Sequence, residues 1–118
     1  MNAPVLCTRI DRVNRSVVLT VSGPLTTCDH VDTLKHSLRD VPAGYSLVIE
    51  LDAMTTLSAS SLGCFRDMAQ QAIRQGIRLI LVSESIDVRA NLVLADLDSL
   101  APVMHSLAQA NQIIAAAA

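Results

Sequence analysis

The sequence predicts one α/β domain with a mixed central sheet of four to five strands and about four helices. Three observations carry this. The chain has 118 residues, enough for a single hydrophobic core. Apolar, β-branched runs alternate along it with stretches whose apolar residues recur at helical spacing. Hydrophobic residues make up 51% of the chain but aromatic residues only 2%, so the core is aliphatic.

Residues 5–10 predict a first strand. Asp11-Arg12-Val13-Asn14-Arg15 predicts a hairpin turn with Asn14 at positive φ. Residues 16–21 (SVVLTV) form a second strand, and Gly23-Pro24 stops it. Thr26 or Thr27 caps a first helix. Val31, Leu34, Leu38 and Val41 form its apolar stripe, and Pro42 and Gly44 end it. Residues 45–51 (YSLVIEL) are apolar on both faces, which places this third strand in the middle of the sheet. A second helix starts near Ser58 and runs to about Gln75, burying Leu62, Phe65, Ala69, Ala72 and Ile73, with Gly76 as its stop. Residues 77–82 (IRLILV) make a fourth strand. Ser83 or Ser85 caps a third helix, with Ile86, Ala90, Val93, Leu94 and Leu97 on the buried face and Val88 and Leu92 off it. Residues 102–105 suit a short edge strand. A last helix follows with Leu107, Ala110, Ile114 and Ala117 in register and a fraying alanine tail.

Composition narrows the function. The net charge is −2 and the basic residues are scattered, which argues against a nucleic-acid surface or a polybasic membrane patch. The two aromatics provide no base-stacking platform. No apolar run is long enough to span a bilayer, and no signal peptide opens the chain, so the expectation is a cytoplasmic protein without direct membrane insertion. Cys7, Cys28 and Cys64 are odd in number, far apart and form no CxxC, so they are expected as free thiols in a reducing compartment. Cys28 and Cys64 each fall early in a helix, where a thiol can be acidified, but a small buried cysteine is the commoner outcome. His30, His36 and His105 have neither metal-ligand spacing nor carboxylate partners, and no cofactor or metal is expected. There is no GxSxG elbow, P-loop or carboxylate pair, so the chain is expected to be no enzyme.

The stretch from Glu50 to Gly63 concentrates the functional signal. It leaves the central strand, crosses a short polar loop and opens a helix, where free N–H groups can receive an anion or a partner's carboxylate. Ser58 suits an N-cap, a role worth about 1 kcal/mol.

Three pieces of the chain together resemble the STAS family, typified by bacterial anti-sigma factor antagonists. They are residues 19–25 (LTVSGPL), residues 47–63 followed by Cys64 and Phe65, and residues 96–107 (DLDSLAPVMHSL). The resemblance implies a STAS-like fold and a regulatory protein that binds a partner which is both kinase and anti-sigma factor. The family's loop reads acidic, Ser, Ser or Thr, Gly, Leu, Gly, and its first serine accepts phosphate. Leu62, Gly63 and Ser60 match. Ser58 stands at the acidic position, Ala59 at the phosphoacceptor and Ser61 at the first Gly. An alanine methyl accepts no phosphate, so a switch, if present, moves to Ser60 or Ser58. Ser61 is also expected to place a side chain where a partner approaches.

The expected partner-binding residues are Thr55, Thr56, Ser58, Ala59, Ser60, Ser61, Arg66, Asp67, Ser83 and Ser85. A STAS subunit of a transporter, in a lipid or anion ATPase complex, or a stress-signalling scaffold is the alternative, because such members dispense with the serine switch.

Overall fold

The computed structural model describes residues 4–52 and 55–117. Seven strands and four helices follow in the order β1 (Val5–Asp11), β2 (Ser16–Ser22), β3 (Pro24–Leu25), α1 (Cys28–Ser37), β4 (Ser46–Leu51), β5 (Thr56–Leu57), α2 (Ala59–Arg74), β6 (Arg78–Val82), α3 (Ile86–Leu94), β7 (Val103–Met104) and α4 (Leu107–Ala117). The main sheet has five strands in the order β1-β2-β4-β6-β7. β1 pairs antiparallel with β2 as a hairpin, and every later pairing is parallel.

From β2 to β7 each parallel step moves in the same direction across the sheet. Right-handed crossovers then bring all three connecting helices to one face. The core confirms this arrangement. Val17, Leu19 and Val21 of β2, Leu47, Ile49 and Leu51 of β4, and Leu79 and Leu81 of β6 pack with α1, α2 and α3. The alternate residues Val18, Val48 and Ile80 meet Ala110 and Ile114 of α4 on the other face. The both-sided apolar runs of β4 and β6 are thus the signature of a three-layer sandwich.

Several details differ from expectation. Arg15, not Asn14, has positive φ in the hairpin loop (52°). Asn14 instead donates to the Asp11 carboxylate from its backbone and side chain, a hydrogen-bonded turn that holds the Asp11 carboxyl below its usual range, with Val13 donating as well. β2 does end at Ser22, as expected, but only Gly23 (φ 97°) separates it from further strand. β3 follows it at once and pairs in parallel with β5, Pro24 opposite Thr56 and Leu25 opposite Leu57. In α2, Met68 is buried and Ile73 is exposed. The last helix continues to Ala117.

The largest difference is α3. Val88 and Leu92 face the core, whereas Ile86, Val93 and Leu94 are 72%, 50% and 83% exposed. The buried face is the reverse of the expected one.

Candidate functional site

Parallel strands β2, β4 and β6 point their C-terminal ends to one edge of the sheet, and the loops leaving that edge open α1, α2 and α3. Open α/β sheets place their working surfaces at this edge. Each helix start carries a side-chain cap. Thr27 Oγ1 accepts from His30 N, Ser58 Oγ from Ser61 N, and Ser85 Oγ from Val88 N. A capping hydroxyl satisfies one of the N–H groups that helix geometry leaves without a partner.

The start of α2 is the most tightly built of the three. Ser58 Oγ donates to Thr26 O at 2.7 Å and accepts from Ser61 N at 3.1 Å. Ser61 Oγ accepts from Ser58 N at 3.0 Å and returns its proton to Ser58 O at 3.1 Å. This is a capping box built from two serines, with Ser61 in the place usually held by Glu or Gln. Each hydroxyl has one proton, and each is committed. Ser61 is buried, so its side chain turns into the cap and does not stand between α2 and a partner, as the sequence had suggested. Ser58 is half-buried and bonded on both sides. Ser60, in the first turn of α2, is exposed, and its hydroxyl makes no hydrogen bond among the described residues. Ala59 beside it is also exposed.

The remaining expected contact residues divide by burial. Thr55 is buried and donates to Val21 O at 3.2 Å, which ties the loop to the end of β2. Ser83 is fully buried; its Oγ accepts from Ser85 N and its carbonyl from Arg89 Nη1. Neither Thr55, Ser61 nor Ser83 presents a side chain to solvent; all three are supports of the edge. Thr56 and Asp67 are exposed. Arg66 is half-buried and engaged: Nη1 reaches Ala95 O at 3.2 Å, Asp96 O at 3.1 Å and Asp96 Oδ2 at 3.3 Å. It sets a cation on the carbonyl end of α3, where the helix dipole favours one, and fixes α2 against α3 beside the left-handed Asp96 (φ 61°). Ala53 and Met54 of the signature stretch lie outside the described residues.

Sequence reasoning missed what lies next to the tip. Ala59, Leu62 and Gly63 of α2, Asn91 and Leu94 of α3 and the capping residue Ala95 line a shallow, mostly apolar groove with Arg66 at its side. It continues along α3 past Ile86, Ala90 and Val93. The exposed face of α3 and the tip of α2 therefore form one surface. Cys28 and Cys64 were expected as free thiols. The structure instead joins them in a disulfide across α1 and α2, with Cα atoms 5.6 Å apart. Cys7, on β1, is free and exposed. His30 Nδ1 accepts from Thr26 N, a structural role. No group of metal-ligating side chains occurs among the described residues, and no described helix is long and apolar enough to cross a membrane.

The sequence profile of the STAS domain matches residues 7–110. The chain belongs to the STAS domain family. Among solved structures, the solution structure of protein TM1081 superposes with a TM-score of 0.69 at 19% identity, covering 97% of this chain and 91% of that one. The crystal structure of the Thermotoga maritima protein, described there as a proposed anti-sigma factor antagonist, also gives 0.69 at 19% identity, covering 92% of this chain and 93% of that one. At this identity the likeness is one of fold. No curated protein sequence matches the chain. In this STAS domain, then, the signature loop and helix start form the edge described above, with Ala59 at the position that carries the acceptor serine in the resemblance drawn from sequence.

Proposed function

We propose that this STAS domain is an anti-sigma factor antagonist-like regulatory protein that works by docking a partner protein and performs no chemistry itself. The partner expected from the resemblance is an ATPase-fold kinase that also acts as an anti-sigma factor. The carrying observation is the exposed outer face of α3 (Ile86, Val93, Leu94), joined by a shallow groove to Ala59 at the α2 tip, with Thr56 and Ser60 exposed in the loop and first turn there. Three large aliphatic side chains on one short helix lie outside the core, and such patches mark protein-contact sites. The partner they fit presents apolar side chains to α3 and polar groups to the α2 tip.

Ala59 takes no phosphate. A phosphate on Ser58 would displace its bonds to Thr26 O and Ser61 N. A phosphate on Ser60 breaks no described bond and lies in the first turn of a helix, where the dipole tolerates its roughly two negative charges. Ser60 is the hydroxyl through which a displaced switch would act; without it the domain is a constitutive binder.

The test pairs this protein with the kinase-type anti-sigma factor encoded nearest to its own gene. Binding is measured by calorimetry for the wild type, Leu94→Asp and Ser60→Asp, and phosphate is mapped by mass spectrometry after incubation with ATP. Binding of the wild type with loss in Leu94→Asp supports the reading. Equal binding by Leu94→Asp sinks the α3 surface. The absent acceptor at Ala59 also favours a second reading, a STAS subunit of a transporter complex or scaffold. Co-purification with a membrane ATPase in place of the kinase would decide for it.

A further inference from the structure

We propose that Cys28 and Cys64 are a reversible thiol–disulfide pair that sets how firmly the α2 tip is held. Three observations converge. The two residues are 36 positions apart in sequence, yet their Cα atoms lie 5.6 Å apart, inside the window a disulfide requires, and they are bonded. The bond lies where the structure sews the two segments of the edge together. Cys28 opens α1, Cys64 sits in the second turn of α2, and the Ser58–Thr26 hydrogen bond and the β3–β5 pair join the same two segments. The pair is also accessible, because Cys28 is exposed and Cys64 only half-buried.

The link to the tip is direct. Cys28 Sγ lies 3.8 Å from the carbonyl oxygen of Ser60. In the disulfide this sulfur has no proton, so the approach is a van der Waals contact. On reduction the same sulfur becomes an S–H in reach of that carbonyl, a weak donor in place of a covalent tie. The covalent link between α1 and the first turns of α2 is lost, and the tip keeps its hydrogen bonds to Thr26 and Val21, the two-residue β3–β5 pair and the packing of Leu57, Leu62 and Phe65 on the core. Buried structural disulfides lack this exposure; accessible ones are the labile and regulatory class.

The chemistry balances with glutathione disulfide as oxidant. One cysteine thiolate attacks it, forming a mixed disulfide and releasing one glutathione thiolate. The second cysteine thiolate attacks the mixed disulfide at the protein sulfur, closing the Cys28–Cys64 bond and releasing the second glutathione. Two electrons pass from the protein pair to glutathione, and the two protein thiol protons go to the released thiolates through solvent. Reduced glutathione reverses both steps.

The meaning for partner binding rests on the docking reading above; the test does not, since it needs no partner. The full chain is equilibrated in glutathione buffers of graded ratio, quenched in acid and alkylated. Mass spectrometry should find one labelled cysteine, Cys7, at the oxidised end and all three at the reduced end. Hydrogen exchange in the same two buffers should be several-fold faster over residues 55–61 in the reduced chain. Cys28→Ser and Cys64→Ser should show the fast exchange in both buffers, and Cys7→Ser should keep the wild-type response. If a serine variant does not fold, the wild type in the two buffers still carries the test. Three labels at every ratio, one label at every ratio, a lasting glutathione adduct in place of the internal bond, or a bond that opens with exchange at residues 55–61 unchanged would each overturn the proposal. Loss of the α3 docking surface with the bond still cycling would overturn only the docking reading.

Discussion

Replacing Ser58 by alanine separates a structural serine from a signalling one. The substitution removes the hydroxyl that accepts from Ser61 N at 3.1 Å and donates to Thr26 O at 2.7 Å. Losing an N-cap of this kind costs about 1 kcal/mol. The Thr26 carbonyl, half-buried, loses its donor, which adds about 1 kcal/mol. The other half of the capping box survives, because Ser61 Oγ bonds the backbone N and O of residue 58, which alanine retains. The sum is about 2 kcal/mol, which for a chain of this length corresponds to roughly 8 °C in Tm. In urea, with a slope of about 2 kcal/mol/M, the midpoint falls by about 1 M.

Two companions make the prediction discriminating. Ser58→Asp keeps an acceptor for Ser61 N but has no proton for Thr26 O, so its loss should be about half as large, near 1 kcal/mol. Ser60→Ala, at an exposed and unbonded position, should stay within about 0.5 kcal/mol of the wild type. All three are read from urea transitions at constant slope. A Ser58→Ala chain as stable as the wild type, or a Ser60→Ala loss exceeding that of Ser58→Ala, would refute the assignment of the cap.

Other substitutions test the rest of the edge. Leu92→Ala, at a fully buried position, should cost about 3 kcal/mol, while Leu94→Asp, two residues on and opposed only by the helix dipole and lower helix propensity, should cost no more than about 1 kcal/mol; equal losses would restore the helix face expected from sequence. Arg66→Ala should cost about 1 kcal/mol, discounted for its partial exposure, and should speed hydrogen exchange around Ala95 and Asp96, checked by mass spectrometry. The Asp11 carboxyl should titrate below 3.8 by NMR because Asn14 and then Val13 donate to it. Its folded value is depressed, so the turn's contribution is present above the unfolded value and is lost as pH falls through the folded one. Asp11→Asn should remove that acid-side dependence, as followed by unfolding at pH 3 against pH 6.

How much of this was legible in the sequence follows from the length scale of each feature. The strands of the main sheet were readable because Leu47-Val48-Ile49 and Leu79-Ile80-Leu81 are apolar on both faces, a pattern that only a strand covered on both sides needs. All four residues of the stripe Val31, Leu34, Leu38 and Val41 are buried, but α1 ends at Ser37, earlier than expected; Leu38 lies in a 3-10 turn and Val41 in extended chain, so helical spacing carried the reading only as far as Leu34. The β3–β5 pair was not readable. Two residues have no period, and Pro24 meets Thr56 only because the topology carries both to one edge. The Cys28–Cys64 bond is of that kind as well, since a separation of 36 residues says nothing about distance in space. Ser61 was misjudged through the family pattern. A residue at the position of a glycine was taken as an obstacle, whereas it closes the cap from inside.

The error in α3 is the most instructive, because its cause bears on function. Residues 86–94 (IDVRANLVL) hold enough aliphatic side chains for two faces. Counting Leu97 with the helix made the face of Ile86, Ala90, Val93 and Leu94 the longer stripe. Leu97 is buried, but it belongs to the turn beyond the left-handed Asp96, outside the helical period. The phase of the helix is set instead at its start, where Ser85 caps Val88 N and Arg89 grips the carbonyl of Ser83, turning Val88 and Leu92 inward. Folding then requires nothing apolar at positions 86, 93 and 94, and a surface helix of an isolated domain would carry polar residues there. The apolar excess that made the face ambiguous is thus surplus to the core, and it lies beside a helix start whose capping hydroxyls, Ser58 and Ser61, are both committed to backbone groups. A tip fixed that firmly, next to an apolar strip the core does not use, has the preorganisation that the proposed docking surface calls for.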